Sequence, residues 1–376
     1  MSKKILLIAD ELSGRGGMEK VLKAFYHYFD NYKEYQVNLL LLNSSKDTVW
    51  LDNINYETYD ISDIVKKKRN KNIVLRCFLQ GGIKKNYKYK IMKDILQEVI
   101  KNKKPDIIIS TGHCYLNQLD KIRNINTLDY KIIFWDHMSH SYYLSDNKDF
   151  VRNMNVADYF FAISTGIKKS LLQLGILDTK IGLIYNPIKK QEISKFNVEK
   201  IKFIYVGRLF LYGQKRCMDI IHAIKKIEDL DFIFEFYGDG QDKDQLILEC
   251  KKLGIDHKII FKGWFDQPWD YIEDASCLIL ASQYEGLPLV LAEAISYGIP
   301  CISSDCKFGP EDIIIPSVNG GLFEVGNVDQ LAHMMEKFIE NPFDFRSSKE
   351  IEVKNSISKL YEENYFKNLK KLVDSL

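Results

Sequence analysis

Short apolar runs of strand length recur along this chain, each followed by a segment with helical spacing, and the rhythm starts twice. The first series reads KKILLIAD, YQVNLLLL, PDIIIS, KIIFWDH, DYFFAIS and IGLIYN. Runs rich in Ile, Val, Phe and Tyr that alternate with helices predict parallel sheets covered on both faces. After Asn186-Pro187 a polar stretch, IKKQEISKFNVEK, breaks the rhythm and reads as a linker. The second series follows as IKFIYVGRL, DFIFEFYGDG, KIIFKGW, ASCLILAS and IPCISS. A chain of 376 residues is too long for one ordinary core. The expected fold class is therefore α/β, with two doubly wound Rossmann-like domains facing a central cleft. The expected division is 1–188, 189–346, and a last segment 347–376 whose Leu360, Tyr361, Tyr365 and Leu369 have helical spacing. Ligands of such sheets bind beyond the carboxyl ends of the strands.

Several function classes are disfavoured. No apolar stretch approaches the roughly 18 residues that span a bilayer. The start, MSKKILLIADELSG, reads as a first strand, since no small-residue cleavage site follows it. Seven scattered cysteines without a C-x-x-C pair read as reduced core residues of a cytoplasmic protein. No H-E-x-x-H or D-x-D spacing points to a metal, and Asp239 and Asp242 are wrongly spaced for one. The net charge of +2 conceals an asymmetry: residues 1–190 carry 31 Lys and Arg against 20 Asp and Glu, residues 191–376 carry 22 against 31. The excess lies between Ile64 and Lys104, where 14 basic residues face only Asp94 and Glu98. Two readings stand for this stretch: a solvated helical face, or a contact with an anionic membrane surface or acceptor. No nucleic-acid-binding motif accompanies the charge.

Four segments carry the candidate chemistry. In YEGLPLVLAEAISYGIP, residues 284–300, Glu285 sits in a loop after a strand, and Gly286 and Pro288 shape a turn. A helix is expected from about Leu289 to Tyr297, with Gly298 at its C′ position and Pro300 beyond. The amides of Leu287, Pro288's neighbour Leu289, and Val290 would then form a phosphate site at a helix N-terminus. Glu293 lies one turn inside. In VGRLFLYGQKRCMDII, residues 206–221, Arg208 follows a strand and Lys215 precedes a helix, so two cations meet at one sheet edge. Whether Lys215 or Arg216 faces a phosphate stays open. The loop Ser13-Gly14-Arg15-Gly16-Gly17-Met18-Glu19 joins a strand to a helix, but Glu19 replaces the third glycine of G-x-G-x-x-G, which disfavours a dinucleotide dehydrogenase. A merely structural turn is the alternative for Gly14 and Arg15. His137 follows the strand KIIFWD; His140 and His113 are weaker candidates. Gly238 ends another strand, and Trp264 ends a third, where it either stacks on a base or caps the domain core.

These motifs resemble those of retaining glycosyltransferase family 4, of GT-B fold. Glu285-x7-Glu293 with Gly286-Leu287-Pro288 between, Gly207-Arg208-Leu209 followed by Lys215, and GGMEKV carry the resemblance. SYGIPCISSDCKFGPEDII is similar to bacterial lipopolysaccharide 1,6-galactosyltransferases and related cell-surface glycan enzymes. The family's usual Lys-Gly is here Lys215-Arg216. The resemblance implies that Arg208 and Lys215 bind the donor diphosphate, Glu285 contacts the donor sugar and Glu293 holds the ribose. It places the amides of Gly16 and Gly17 near the transfer site, His137 near donor sugar and acceptor, and Trp264 at the base. The implied activity is metal-independent transfer of a hexose, galactose favoured, from a UDP-sugar to a glycan or lipopolysaccharide precursor, at the inner face of the cytoplasmic membrane. A sugar-nucleotide epimerase or hydrolase of the same fold, or a non-catalytic sugar-nucleotide-binding subunit, are the alternatives.

Overall fold

The computed structural model describes residues 2–10, 17–43, 49–71, 81–137 and 149–376. Two compact units emerge. The first comprises residues 1–163, 168–184 and 371–376; the second comprises 164–167 and 185–370.

The first unit is built on seven parallel strands: β1 (Lys3–Ala9), β2 (Tyr35–Leu41), β3 (Tyr56–Thr58), β4 (Ile107–Ser110), β5 (Lys131–Asp136), β6 (Tyr159–Ala162) and β7 (Ile181–Leu183). Their order is β3-β2-β1-β4-β5-β6-β7, so the direction of winding reverses between β1 and β4. Ile5 to Ala9 and Ile107 to Ile109 are at most 1% exposed, as strands covered on both faces require. The helices are α1 (Gly17–Asp30), α2 (Ile61–Lys71), α3 (Gly81–Lys103), α4 (His113–Asn126), α5 (Asp149–Met154) and α6 (Thr165–Gln173). In α1 the residues Val21, Leu22, Phe25 and Phe29 recur at helical spacing and are buried. Phe25 packs on Phe29 and on Trp135 of β5, with ring centroids 4.6 and 5.4 Å away.

The second unit repeats the plan with six parallel strands: β8 (Lys202–Val206), β9 (Ile233–Tyr237), β10 (Ile259–Gly263), β11 (Cys277–Leu280), β12 (Cys301–Ser304) and β13 (Gly320–Phe323). Their order is β10-β9-β8-β11-β12-β13, and here the reversal lies between β8 and β11. Cys277 pairs with Phe203 and Leu278 with Ile204 across that junction. The helices are α7 (Cys217–Lys226), α8 (Lys243–Lys252), α9 (Leu289–Ser296), α10 (Pro310–Ile313), α11 (Val328–Glu340), α12 (Glu350–Asn355) and α13 (Glu362–Ser375).

Some expected segments differ. Strands β3 and β13 were not evident in the sequence: one is three residues at a sheet edge, the other is half glycine, and neither makes a periodic signal. The polar stretch after Pro187 is not a free tether. Lys195 N–H donates to the Tyr297 carbonyl at 2.9 Å and Asn197 N–H to that of Ala275 at 3.1 Å, which ties it to the second unit. The helical spacing after Ser347 is interrupted between α12 and α13. There Ile188 N–H donates to the Leu360 carbonyl at 2.9 Å and Glu362 N–H to the Ile188 carbonyl at 3.1 Å, a short bridge that draws the backbone out of the helix. Cys217, Cys250, Cys277, Cys301 and Cys306 are buried free thiols. Burial raises the pKa of each, to about 11 for Cys217 and about 12 for Cys250 and Cys306. Cys77 lies outside the described residues.

Candidate active site

The junction of β8 and β11 is the point where a doubly wound sheet opens a crevice at its carboxyl edge. The chain leaving β8 supplies Gly207, Arg208 and the segment to Lys215. The chain leaving β11 supplies residues 281–288. These two segments are stitched together: Gln283 N–H donates to the Gln214 carbonyl at 2.8 Å, and Gln214 Nε2 donates to the Tyr284 carbonyl at 3.4 Å.

Lys215 and Glu285, 70 residues apart in sequence, meet in this crevice with Nζ to Oε1 at 2.7 Å. Their side chains are only 14% and 10% exposed. Removing one partner would strand a charge in a poorly hydrated place. Arg208 stays exposed; its Nη2 donates to Gln214 Oε1 at 3.2 Å and its guanidinium lies 5.5 Å from the centre of the Phe210 ring. The buried Tyr205 holds the turn by donating its hydroxyl to the Arg208 carbonyl at 2.7 Å. Arg216 is engaged elsewhere. It sits in the left-handed region (φ 48°) before α7, with Nε to Asp219 Oδ2 at 2.6 Å and Nη1 to Gln283 Oε1 at 3.0 Å. Of the two neighbouring bases it is therefore Lys215 that joins Glu285.

Helix α9 begins directly after this pair. Pro288 stands at its N-cap with no side-chain cap bond, so Leu289 and Val290 begin a helix whose first turn no side chain caps. Gly286 and Leu287 lie against Gly309. A Cβ there would come 2.6 Å from Pro288 Cδ and 2.9 Å from the Gly286 carbonyl, and Gly309 itself has φ +98°. At the other end Gly298 (φ +77°) follows the Tyr297 C-cap and closes the helix, as expected.

Glu293, on α9, belongs to a second group. Trp269 Nε1 donates to its Oε2 at 2.8 Å. The Trp269 ring stacks on Tyr297 at 5.2 Å and 25°. Lys195 reaches both, donating to the Trp269 carbonyl at 2.6 Å and lying 5.1 Å over the Tyr297 ring. Nothing in the sequence singled out Trp269 or Gln214, since their significance lies in partners distant along the chain.

Gly238 has a packing reason to be glycine: a Cβ would fall 1.8 Å from the Gly207 carbonyl oxygen. Its N–H donates to the Gly263 carbonyl at 2.8 Å, so the ends of β8, β9 and β10 are drawn together. Trp264, just after β10, is 39% exposed and does not cap the core. On the first unit, Gly17 opens α1 and Glu19 is buried in its first turn; Gly14, Arg15, Gly16 and His140 lie outside the described residues. His137 follows β5. Its Nε2 is shielded from solvent and has no hydrogen-bond partner among the described residues, and its ring lies 4.8 Å from that of Trp135. Burial lowers its pKa to about 3, so the imidazole is neutral at pH 7. His113 is buried as a whole residue, with its pKa lowered chiefly by burial. Among the described residues no three His, Cys, Asp or Glu side chains gather as a metal site.

Two parallel α/β sheets, of seven and six strands, are the architecture of the GT-B fold. Residues 188–356 match the glycosyl transferases group 1 family, and the chain belongs to that family. It is 30% identical to the lipopolysaccharide 1,6-galactosyltransferase of Escherichia coli, over 99% of this chain and 98% of that protein. The Salmonella typhimurium protein of the same name is also 30% identical, over 99% of each. The solved apo structure of the lipopolysaccharide outer core galactosyltransferase WaaB aligns with a TM-score of 0.81 at 29% identity, covering 99% of both chains. Anabaena HepE, solved with UDP and glucose, shares the fold at a TM-score of 0.74 and 17% identity over all of both chains.

Proposed function

We propose that this glycosyltransferase moves a hexose, galactose favoured, from a UDP-sugar to a hydroxyl of a lipopolysaccharide or other cell-surface glycan precursor, with retention at the anomeric carbon. The observation that carries the donor side is the Lys215–Glu285 pair, partly buried beside Arg208 and immediately before α9. As the glycosidic bond breaks, negative charge develops on the departing diphosphate. Arg208, Lys215 and the first-turn amides of α9 offset that charge. Glu285 orients the hexose hydroxyls and holds Lys215 until the diphosphate arrives. Glu293 grips the ribose, and Trp264 offers its exposed ring to the base. The acceptor hydroxyl attacks the anomeric carbon on the face that the diphosphate leaves, and a phosphate oxygen takes its proton. His137 and the amides of Gly16 and Gly17 are assigned to the hexose and acceptor side.

Full-length similarity to two lipopolysaccharide galactosyltransferases supports galactose and that acceptor class. Two cationic side chains do the charge neutralisation, so no divalent ion is needed. The basic stretch 64–104 would bring the enzyme to anionic headgroups at the inner face of the cytoplasmic membrane. Nucleotide release measured over a panel of UDP- and GDP-sugars, with and without lipopolysaccharide precursors, tests the reading. UDP-galactose with acceptor is expected to lead, and EDTA to leave the rate intact. Free sugar or an isomer released without acceptor would favour a hydrolase or epimerase instead.

A further inference from the structure

A buried indole N–H needs an acceptor, because leaving it unpaired costs more than a typical hydrogen bond gains. Trp269 is 6% exposed and its acceptor is the Glu293 carboxylate at 2.8 Å. A bond to a carboxylate is charge-assisted and directional, so it restricts the Glu293 rotamer as well as satisfying the indole. The indole is fixed in turn. One face stacks on Tyr297, which stands four residues after Glu293 and so on the same side of α9. Its own carbonyl, and that of Ile272, accept from Lys195 Nζ at 2.6 and 2.5 Å. Lys195 N–H is bound to the Tyr297 carbonyl. Glu293 itself stays only partly buried. A side chain that merely packed a loop on α9 would not require a donor aimed at the one carboxylate of that helix.

We infer that Trp269 is a positioning residue for nucleotide recognition: it holds Glu293 in the orientation that accepts the ribose hydroxyls of the donor. This rests on the ribose role proposed above for Glu293. A preset acceptor binds hydroxyls without first losing rotamer freedom, and it discriminates against a sugar that lacks them.

The test compares binding of UDP with that of 2′,3′-dideoxy-UDP by calorimetry in the wild type, Trp269→Phe and Glu293→Ala. The wild type is expected to prefer UDP by about tenfold or more. Trp269→Phe keeps an aromatic ring but has no N–H, and is expected to lose about three- to tenfold of that preference while binding of the dideoxy analogue is unchanged. A merely structural role would weaken both nucleotides alike. If Trp269→Phe does not fold, an isostere with sulfur in place of the indole N–H (3-benzothienylalanine at 269) makes the same comparison at constant volume. Loss of the preference in Glu293→Ala with its full retention in the Trp269 variants overturns the positioning role alone. Retention in Glu293→Ala overturns the ribose role and the positioning role together.

Discussion

Lys215 and Glu285 form a partly buried ion pair whose members are also the groups proposed to receive the donor. In the absence of ligand each satisfies the other, which lowers the cost of keeping charge where water is scarce. Lys215→Met should therefore do two things. It removes a stabiliser of the leaving group, with an expected loss of about 10²- to 10³-fold in kcat. It also strands the Glu285 carboxylate, so Glu285→Gln in the same chain is expected to restore stability without restoring rate. Steady-state kinetics and chemical denaturation of the single and double variants check both. His137 makes a separate prediction. Its folded pKa of about 3 lies below the unfolded value near 6.5, so the unfolded state binds the extra proton between those limits. Stability from this residue is present above about pH 6.5 and is lost as pH falls, by up to roughly 1.4 kcal/mol per unit. The difference in unfolding free energy between wild type and His137→Gln, followed from pH 7.5 to 4.5, should change in that direction and stay flat above 6.5.

Among the elements, the ends of β8, β9 and β10 are the tightest place in the candidate site. Gly238→Ala would set a Cβ 1.8 Å from the Gly207 carbonyl, against backbone that cannot step aside. Overpacking of this kind costs about 1–3 kcal/mol, and the upper end is expected here. Gly213→Ala is the comparison. Unlike Gly238 it has positive φ (69°), but nothing lies within 4 Å of the added Cβ, so only the left-handed penalty of about 1–2 kcal/mol applies. Denaturant midpoints should rank Gly238→Ala below Gly213→Ala, and UDP affinity should fall in the former because Arg208 follows Gly207 directly. Helix α9 was readable in advance because it carries its own punctuation, with Pro288 at one end and Gly298 at the other. Strands β3 and β13 carry none. They exist because neighbouring strands offer them backbone partners.

For the chain as a whole, charge is segregated along the sequence, with an excess of 11 positive charges in residues 1–190 and of 9 negative charges in 191–376. Lys66, Lys67, Lys88, Lys90, Lys101 and Lys104 of the basic stretch are exposed, while Ile91, Met92, Ile95, Leu96, Val99 and Ile100 turn inward. No helix among the described residues is long and apolar enough to cross a membrane. Adsorption to vesicles containing phosphatidylglycerol, absent with neutral lipid and reversed by salt, is expected. Replacing Lys88, Lys90, Lys101 and Lys104 by Gln should weaken it by about 1 kcal/mol per charge, as read by vesicle sedimentation.

The order of apolar runs and helical segments sufficed for two parallel α/β sheets, because a strand buried on both faces must be apolar throughout and its crossover must be long. Local punctuation likewise announced the start of α9 after Pro288 and its end at Gly298. Contacts between distant residues were beyond its reach. Lys215 rather than Arg216 partners Glu285 because the arginine is taken by Asp219, three residues on, and by Gln283, 67 residues on, and only the first of these lies within local reach. Trp269 and Glu293 are 24 residues apart in segments without a shared period, and only the packing of the loop on α9 brings donor to acceptor. Backbone periodicity is a short-range property and is written in the sequence, whereas the pairing of charges and hydrogen bonds depends on which surfaces the folded chain brings face to face.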